Sequence, residues 1–396
     1  MAGQRSKSNK KFMLLSAIGI FMVVDHHTWT TFHFFGDFIP YNSFFMPMFV
    51  FISGYFNKVD SSTNLLQYTW KKIKTLLVPY MGISLCVFLL QQLINWIKLG
   101  EMQAVPSWYL TYVLERIITV GSFAPIAEPM WFVISLFSSL MVYAILKKCL
   151  YRIWNSYVMM AVFCCLHILA VYLAKTMQPD AMTYLLLPLK VLFFLPFIEL
   201  GIIYRNGLEK KHTGLSGGWK IALIFALLLI NMARTVYLPA PYDVAFDSLS
   251  ELAGFTSPYI VTPLISSVIG ILFWVTLVDL IGRPVYESRF VNYMSCNTFW
   301  IMGFHILCFN ILNCILMAVS EHITPLLYFD VEAFRESEWY YWDISSNIKL
   351  IYLLVGILGP LGFKRLFDTI RESVRKRFIP EKAGSQSEIA ADDRRD

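Results

Sequence analysis

The chain has 396 residues, of which 57% are hydrophobic and only 15% are charged, and its mean hydropathy is +0.56. A soluble globular domain has about a quarter charged residues, so this composition excludes an ordinary soluble protein. The net charge of +6 does not call for a nucleic-acid partner, because basic residues concentrate in the cytoplasmic loops of membrane proteins. The composition predicts an all-α integral membrane protein.

Ten apolar stretches approach the roughly 20 residues that cross a bilayer as a helix. They lie at 12–31, 40–56, 76–98, 127–146, 154–175, 184–204, 219–238, 258–281, 293–318 and 348–367. We therefore predict a single bundle of about ten transmembrane helices. A weaker apolar piece at 108–120 contains Glu115 and Arg116, and we interpret it as an interfacial or re-entrant helix.

The basic residues predict the orientation of the bundle. With the N-terminus inside, 26 of the 33 Lys and Arg residues fall on the cytoplasmic side, as the positive-inside rule requires. We expect a cytoplasmic segment at 1–11, the transmembrane domain at 12–371 and a cytoplasmic, largely disordered tail at 372–396. The first apolar run lacks a small-residue cleavage site, so it is expected to stay in a plasma-membrane protein as a helix.

The seven cysteines do not have the spacing of a zinc site or of a disulfide framework. They are Cys86, Cys149, Cys164, Cys165, Cys296, Cys308 and Cys314. We treat them as small apolar residues and expect neither a metal nor a permanently bound cofactor.

Asp25, His26 and His27 interrupt the first apolar stretch. Ionisable side chains at membrane depth cost several kcal/mol and are rarely kept without a task, and imidazole transfers protons near neutral pH. At 1.5 Å per residue, His27 lies roughly 20 Å along a helix that enters near Phe12, in the outer half of the membrane. Adjacent residues point about 100° apart on a helix, so at most two of the three share a cavity. The alternative is one satisfied histidine and one at the interface.

Ser53 and Gly54 lie near the cytoplasmic end of the second span, where small residues let a ligand or another backbone approach closely. Plain helix packing is an equal alternative. Lys71, Lys72 and Lys74 follow at the start of the third span. They could bind the phosphates of a cytosolic ligand, or they could reflect the positive-inside bias alone.

Charged residues also lie inside other apolar spans, among them Lys190, Glu199 and Arg234. Lys190 and Glu199 are about two and a half helical turns apart, so we do not expect them to form a direct pair, and Arg234 could snorkel to the interface. The outer loop 319–347 is acidic and ends in an aromatic cluster. Its Glu338, Trp339 and Trp342 would suit the faces and hydroxyls of a sugar, whereas an interfacial aromatic belt is the alternative.

The second span carries the sequence Phe44-Phe45-Met46-Pro47-Met48-Phe49-Val50-Phe51-Ile52-Ser53-Gly54-Tyr55 after a first helix that contains histidine. In this pattern the chain resembles the acyltransferase 3 family of integral membrane O-acyltransferases, over about residues 12–367. Later segments agree with it: Pro79 and Tyr80, Met130 to Phe132, Leu195 to Phe197 with Gly201, and Ser295 to Phe304 before His305.

The resemblance implies transfer of an acyl group, usually acetyl, from cytosolic acyl-CoA to a hydroxyl of a surface glycan or its lipid-linked precursor. The chain is most similar to the stand-alone group that includes fucose acetylases and the succinyltransferase of poly-N-acetylglucosamine systems. The partners expected are therefore the lipid bilayer, acyl-CoA and a carbohydrate acceptor, with a homo-oligomer left open. The rivals are a glycan-precursor transporter or flippase, and a binding or regulatory protein that has lost catalysis.

The family pattern places its first-helix histidine at His27, or at His26 after a shift of one residue. His27 is thus the candidate base, with Asp25 as a possible support for the imidazole. Ser53, Tyr55, Trp131 or His305 could donate a hydrogen bond to the thioester oxygen. Acyl-CoA is expected to bind near Ser53, Gly54 and Tyr55 and near Lys71, Lys72 and Lys74. One position departs from the family: Ser16 stands where Arg or Lys is common, so Lys11 or a cation of another helix would have to substitute.

Overall fold

The computed structural model describes residues 7–28, 44–100, 109–176, 179–237, 260–282, 285, 287–323, 329–337 and 348–378. Within these ranges every regular element is helical, which confirms the all-α class. The helices are α1 Lys7–His26, α2 Phe45–Tyr55, α3 Leu65–Lys72, α4 Val78–Leu99, α5 Tyr109–Thr119, α6 Trp131–Cys149, α7 Ser156–Thr176, α8 Pro179–Ile203, α9 Glu209–Thr213, α10 Gly217–Tyr237, α11 Thr262–Ile281, α12 Arg289–Cys296, α13 Thr298–Ile323, α14 Val331–Glu336 and α15 Lys349–Phe378.

Two π-helical turns join neighbouring helices. Ile73–Leu77 connects α3 to α4, and Tyr204–Leu208 connects α8 to α9. A 3-10 turn at Pro125–Met130 leads into α6. Such turns are frequent at functional sites because they redirect side chains that a continuous α-helix would place elsewhere.

Eight helical segments in the described part of the chain are long and apolar enough to cross a membrane. They are Leu65–Leu99, Pro125–Cys149, Ser156–Thr176, Tyr184–Thr213, Gly217–Arg234, Thr262–Ile281, Thr298–Ser320 and Lys349–Val374. The structure therefore supports a multi-pass membrane protein with eight such helices. The α2 helix has only 11 residues, about 16 Å at 1.5 Å per residue, so the predicted total of about ten crossings stays a prediction.

Helix α8 is central to the bundle and packs against α2, α6 and α7. Its contact with α2 brings the two backbones together at two glycines. A methyl group at Gly54 would lie 2.3 Å from the carbonyl oxygen of Ile198, and one at Gly201 would lie 2.3 Å from that of Phe51. Because lipid provides no hydrophobic force between helices, close packing at small residues is one of the main contributions to the association of transmembrane helices.

Helices α1 and α2 run antiparallel. The rings of Phe12 and Tyr55 are 3.9 Å apart at one end of the pair, and those of His26 and Phe45 are 5.9 Å apart at the other. We call these the lysine end, after the buried Lys11, and the histidine end. The predicted orientation places the lysine end in the cytoplasm.

Candidate active site

The structure brings together two histidines that are 278 positions apart in the sequence. His27 follows the last turn of α1, and His305 lies fully buried within α13. Their ring centroids are 4.9 Å apart. The ring of His26 is 5.3 Å from that of His27 and also contacts Phe45. His27 is therefore the member of the adjacent pair whose ring meets His305.

The same kind of hydrogen bond orients both rings. Nδ1 of His27 lies 2.7 Å from the carbonyl oxygen of Val23, and Nδ1 of His305 lies 2.9 Å from that of Ile301. A carbonyl oxygen only accepts, so each Nδ1 must donate its proton. The neutral rings consequently have the lone pair on Nε2, and among the described residues Nε2 of His305 has no hydrogen-bond partner. This is the tautomer in which an imidazole acts as a base through Nε2.

Asp25 forms a buried ion pair across the bundle. Its carboxylate lies 2.8 Å from the ammonium of Lys349, the first residue of α15, and both side chains are at most 1% exposed. Lys349 also donates to the hydroxyl of Thr28 at 2.9 Å, and that hydroxyl donates to the carbonyl of Asp25 at 2.6 Å. This pair was not recognisable from the sequence, because Lys349 is only one of several cations predicted on the outer side.

A second cation lies against an aromatic ring at the start of α6. The ammonium of Lys190 is 4.1 Å from the ring centroid of Trp131 and donates to the carbonyl of Val120 at 3.2 Å. The preceding Met130 places its sulfur 3.4 Å from the Cβ position of Gly303, two residues before His305. Trp131 and Lys190 are thus neighbours of the helix that contains His305.

A family model described as an acyltransferase domain matches residues 12–331 of the chain. The chain belongs to the acyltransferase 3 family. The match confirms the resemblance seen in the sequence and makes the chain a membrane acyltransferase. No curated protein matches it, and no solved structure matches it.

Glu199, a further charged residue of α8, lies deep in the acyltransferase. It is fully buried and accepts a hydrogen bond from the hydroxyl of Tyr143 on α6. Its other carboxylate oxygen has no hydrogen-bond partner among the described residues. Lys190 and Glu199 thus have different neighbours on α6, although both were recognisable from the sequence as buried charges.

Toward the lysine end of the acyltransferase, Ser16, the position that departs from the family pattern, makes its hydrogen bond within its own helix. The hydroxyl of Ser16 donates to the carbonyl of Phe12. Lys11 donates to the hydroxyl of Tyr204 at 2.9 Å and lies 3.3 Å from the carboxylate of Asp279. Lys220 lies 2.7 Å from the same carboxylate. Two buried cations from different helices therefore share one anion.

The residues predicted to bind the donor occupy the same end. Lys71 and Lys74 are exposed and Lys72 is half-buried, so the helix bundle does not cover them. Tyr55 donates to the carboxylate of Glu209 at 2.7 Å. Gly54 packs against Ile198, so here the structure shows helix packing, one of the two alternatives that the sequence left open. Ser53 is half-buried beside it.

An open pocket of about 260 Å³ lies next to this network. Its lining includes Tyr204, Lys211 and His212, together with leucine side chains. The imidazole of His212 bonds to the hydroxyls of Tyr204 and Thr276. These residues are not recognisable as a site from the sequence, because positive-inside bias alone also predicts basic residues at a cytoplasmic helix end.

The acceptor residues predicted from the sequence, Glu338, Trp339 and Trp342, lie outside the described residues. Of the tail predicted at 372–396, residues 372–378 belong to α15, and the rest lies outside the described residues. In the part of the chain that the structure describes, no group of three or more His, Cys, Asp or Glu side chains could hold a metal ion.

Proposed function

We propose that this acyltransferase moves an acyl group, most simply acetyl, from cytosolic acyl-CoA to a hydroxyl of an extracytoplasmic or lipid-linked carbohydrate. The observation that carries the proposal is the contact between His27 and His305, with both rings oriented so that Nε2 is the basic nitrogen. Membership of the family supports acyl transfer in general. The identities of the acyl donor and the acceptor, and the roles of the residues, are what we propose.

In the proposed reaction, Nε2 of His27 removes the proton of the sugar hydroxyl as its oxygen attacks the thioester carbon. A C–O bond forms, the C–S bond breaks, and the CoA thiolate takes the proton back from the imidazolium. The products are an ester and free CoA, and the histidine returns to its starting state. General-base assistance of this kind is worth about 10²- to 10⁴-fold.

In the proposed reaction, His305 is a neutral imidazole beside the base His27. With Nδ1 committed to Ile301, its neutral ring cannot donate a hydrogen bond through Nε2, so it does not stabilise the oxyanion in that form. Two imidazolium ions side by side repel each other. His305 therefore stays neutral while His27 carries the proton, and its Nε2 remains an acceptor.

Stabilisation of the oxyanion then falls to other groups near α13. The ammonium of Lys190 and the indole of Trp131 have the right chemistry for this role, because a donor or positive charge placed beforehand lowers the energy of a developing negative charge. We propose this role for the pair in preference to Ser53 and Tyr55, which lie toward the lysine end.

The donor is proposed to enter at the lysine end. Its phosphates would meet Lys71, Lys72 and Lys74, which are accessible there, since ammonium groups form strong charge-assisted hydrogen bonds with phosphate. Lys11 lies in α1 and His27 directly follows that helix, so the 16 positions between them correspond to about 24 Å along a helix. The extended arm of acyl-CoA would therefore have to reach through the bundle, and the carbohydrate would approach from the histidine end and its aromatic loop.

The decisive experiment measures release of free CoA thiol by the purified protein in detergent, with acetyl-CoA and a panel of sugar acceptors. We expect His27→Ala to lose about 10²- to 10⁴-fold in turnover, because no other group replaces the base. His26→Ala should retain most activity, since its ring faces Phe45. His322→Ala, at the exposed end of α13, is the matched control.

Unchanged turnover in His27→Ala at a normal level of folded protein would contradict the assignment, and loss confined to His26→Ala would move the base by one residue.

The alternative function, a glycan-precursor transporter, is favoured by the buried Arg234, whose Nε donates to Asn231 at 3.1 Å. A transporter would move the glycan in vesicles and release no thiol in detergent.

A further inference from the structure

We propose that Lys349 is a positioning residue that holds the imidazole of His27 in place for the transfer. The inference rests on the proposed function of His27. Its starting point is the buried ion pair that joins the last turn of α1 to the first residue of α15. The partners are 324 positions apart, so the pair is a contact between distant parts of the chain.

The ammonium of Lys349 bonds on both sides of His27 in the sequence. It lies 2.8 Å from the carboxylate of Asp25 and 2.9 Å from the hydroxyl of Thr28. The Thr28 hydroxyl in turn donates to the carbonyl of Asp25, which closes a ring of three interactions. His27 lies within the short segment that this ring closes, so the side chains on both sides of it are held by one cation.

The orientation of the His27 ring follows from that segment. Both its backbone N–H and its Nδ1 bond to the carbonyl of Val23, at 3.2 and 2.7 Å. The ring is consequently fixed to the last turn of α1 and moves with it. A displacement of that turn relative to α13 changes the distance between His27 and His305.

Helix α15 also contacts the helix of His305. A methyl group at Gly356 would lie 2.6 Å from the ring of Phe309 on α13 and 2.7 Å from the side chain of Val24 on α1. The ring of Phe309 is 5.8 Å from that of His305. Helix α15 therefore packs against both imidazole-bearing segments, and Lys349 is its polar attachment to α1.

The test compares three variants in the CoA-release assay with the full-length protein. Lys349→Met removes the ammonium but keeps the length of the side chain. Asp25→Asn with Lys349→Met removes both charges, so that no uncompensated buried charge remains. Lys98→Met is the matched control: Lys98 is also buried and donates to the carbonyl of Ser337, but it lies on α4.

We expect Lys349→Met to lower kcat by about tenfold or more, because small displacements of reacting groups cost that much, with the KM for acetyl-CoA within about twofold. The double variant should unfold in detergent at a midpoint close to that of the parent protein, whereas its kcat should stay as low as that of Lys349→Met. Lys98→Met should change kcat by less than about twofold. This pattern separates positioning from mere compensation of charge.

Recovery of kcat together with stability in the double variant would overturn the inference, since the pair would then be structural only. A kcat within about twofold of the parent protein in Lys349→Met would overturn it as well. Failure of the proposed function looks different: the parent protein would release no thiol, or His27→Ala would be fully active.

Discussion

At the scale of single residues, several charged side chains of this acyltransferase are buried against specific partners. Glu199 is bonded by Tyr143, Lys190 lies on Trp131, and Lys11 and Lys220 share Asp279. The sequence shows which charges lie within apolar spans. It does not show their partners, because each comes from another helix.

The hydrogen bond from Tyr143 to Glu199 should be worth more than a neutral one. Tyr143→Phe removes the hydroxyl that bonds the buried carboxylate, and hydrogen bonds to charged groups contribute about 1.5–3 kcal/mol. We expect a clear fall in the thermal unfolding midpoint in detergent. Tyr80→Phe is the matched control, because Tyr80 is equally buried but donates to the carbonyl of Gly121, a bond worth about 0.5–1.5 kcal/mol. Equal losses in the two variants would show that the carboxylate gains nothing special from Tyr143.

At the scale of helices, spans were predictable and packing was only partly so. The apolar stretch at 154–175 corresponds closely to α7 Ser156–Thr176, because its length and composition suffice to define it. The predicted span at 40–56 is a helix only over Phe45–Tyr55 among the described residues. Small residues at Gly54 and Gly201 are compatible with a ligand or with a helix, and only the position of α8 shows that the α2 backbone meets another backbone there.

The close contact of α2 with α8 should be sensitive to a single methyl group. In Gly54→Ala the new carbon would overlap the backbone of Ile198, and overpacking of this kind costs about 1–3 kcal/mol. Gly82→Ala, on the exposed face of α4, meets nothing within 4 Å and should be neutral or slightly stabilising. The comparison is of unfolding midpoints in detergent. A stable Gly54→Ala whose KM for acetyl-CoA rises would point to ligand contact instead of packing.

At the scale of the whole molecule, the distribution of basic residues predicts that the lysine end faces the cytoplasm. Single cysteines introduced as Ser62→Cys and Glu336→Cys, both at exposed positions, test this in a variant without the native cysteines. An impermeant maleimide added to intact cells should label the cysteine at 336 and leave the one at 62 unlabelled until the membrane is opened. Labelling of both from the same side would contradict the predicted topology.

The sequence by itself determined that this is a helical membrane protein of the acyltransferase 3 family, because composition, span length and the 44–55 motif are local properties of the chain. It also identified His27 and Glu199 as residues of interest, since polar groups in apolar spans are visible without a fold, and the resemblance to the family added His305 and Trp131. Tertiary structure alone decided that the two imidazoles meet and that Lys349 pairs with Asp25. These contacts depend on the packing of α1, α13 and α15, and packing is a relation between distant segments that no local pattern encodes.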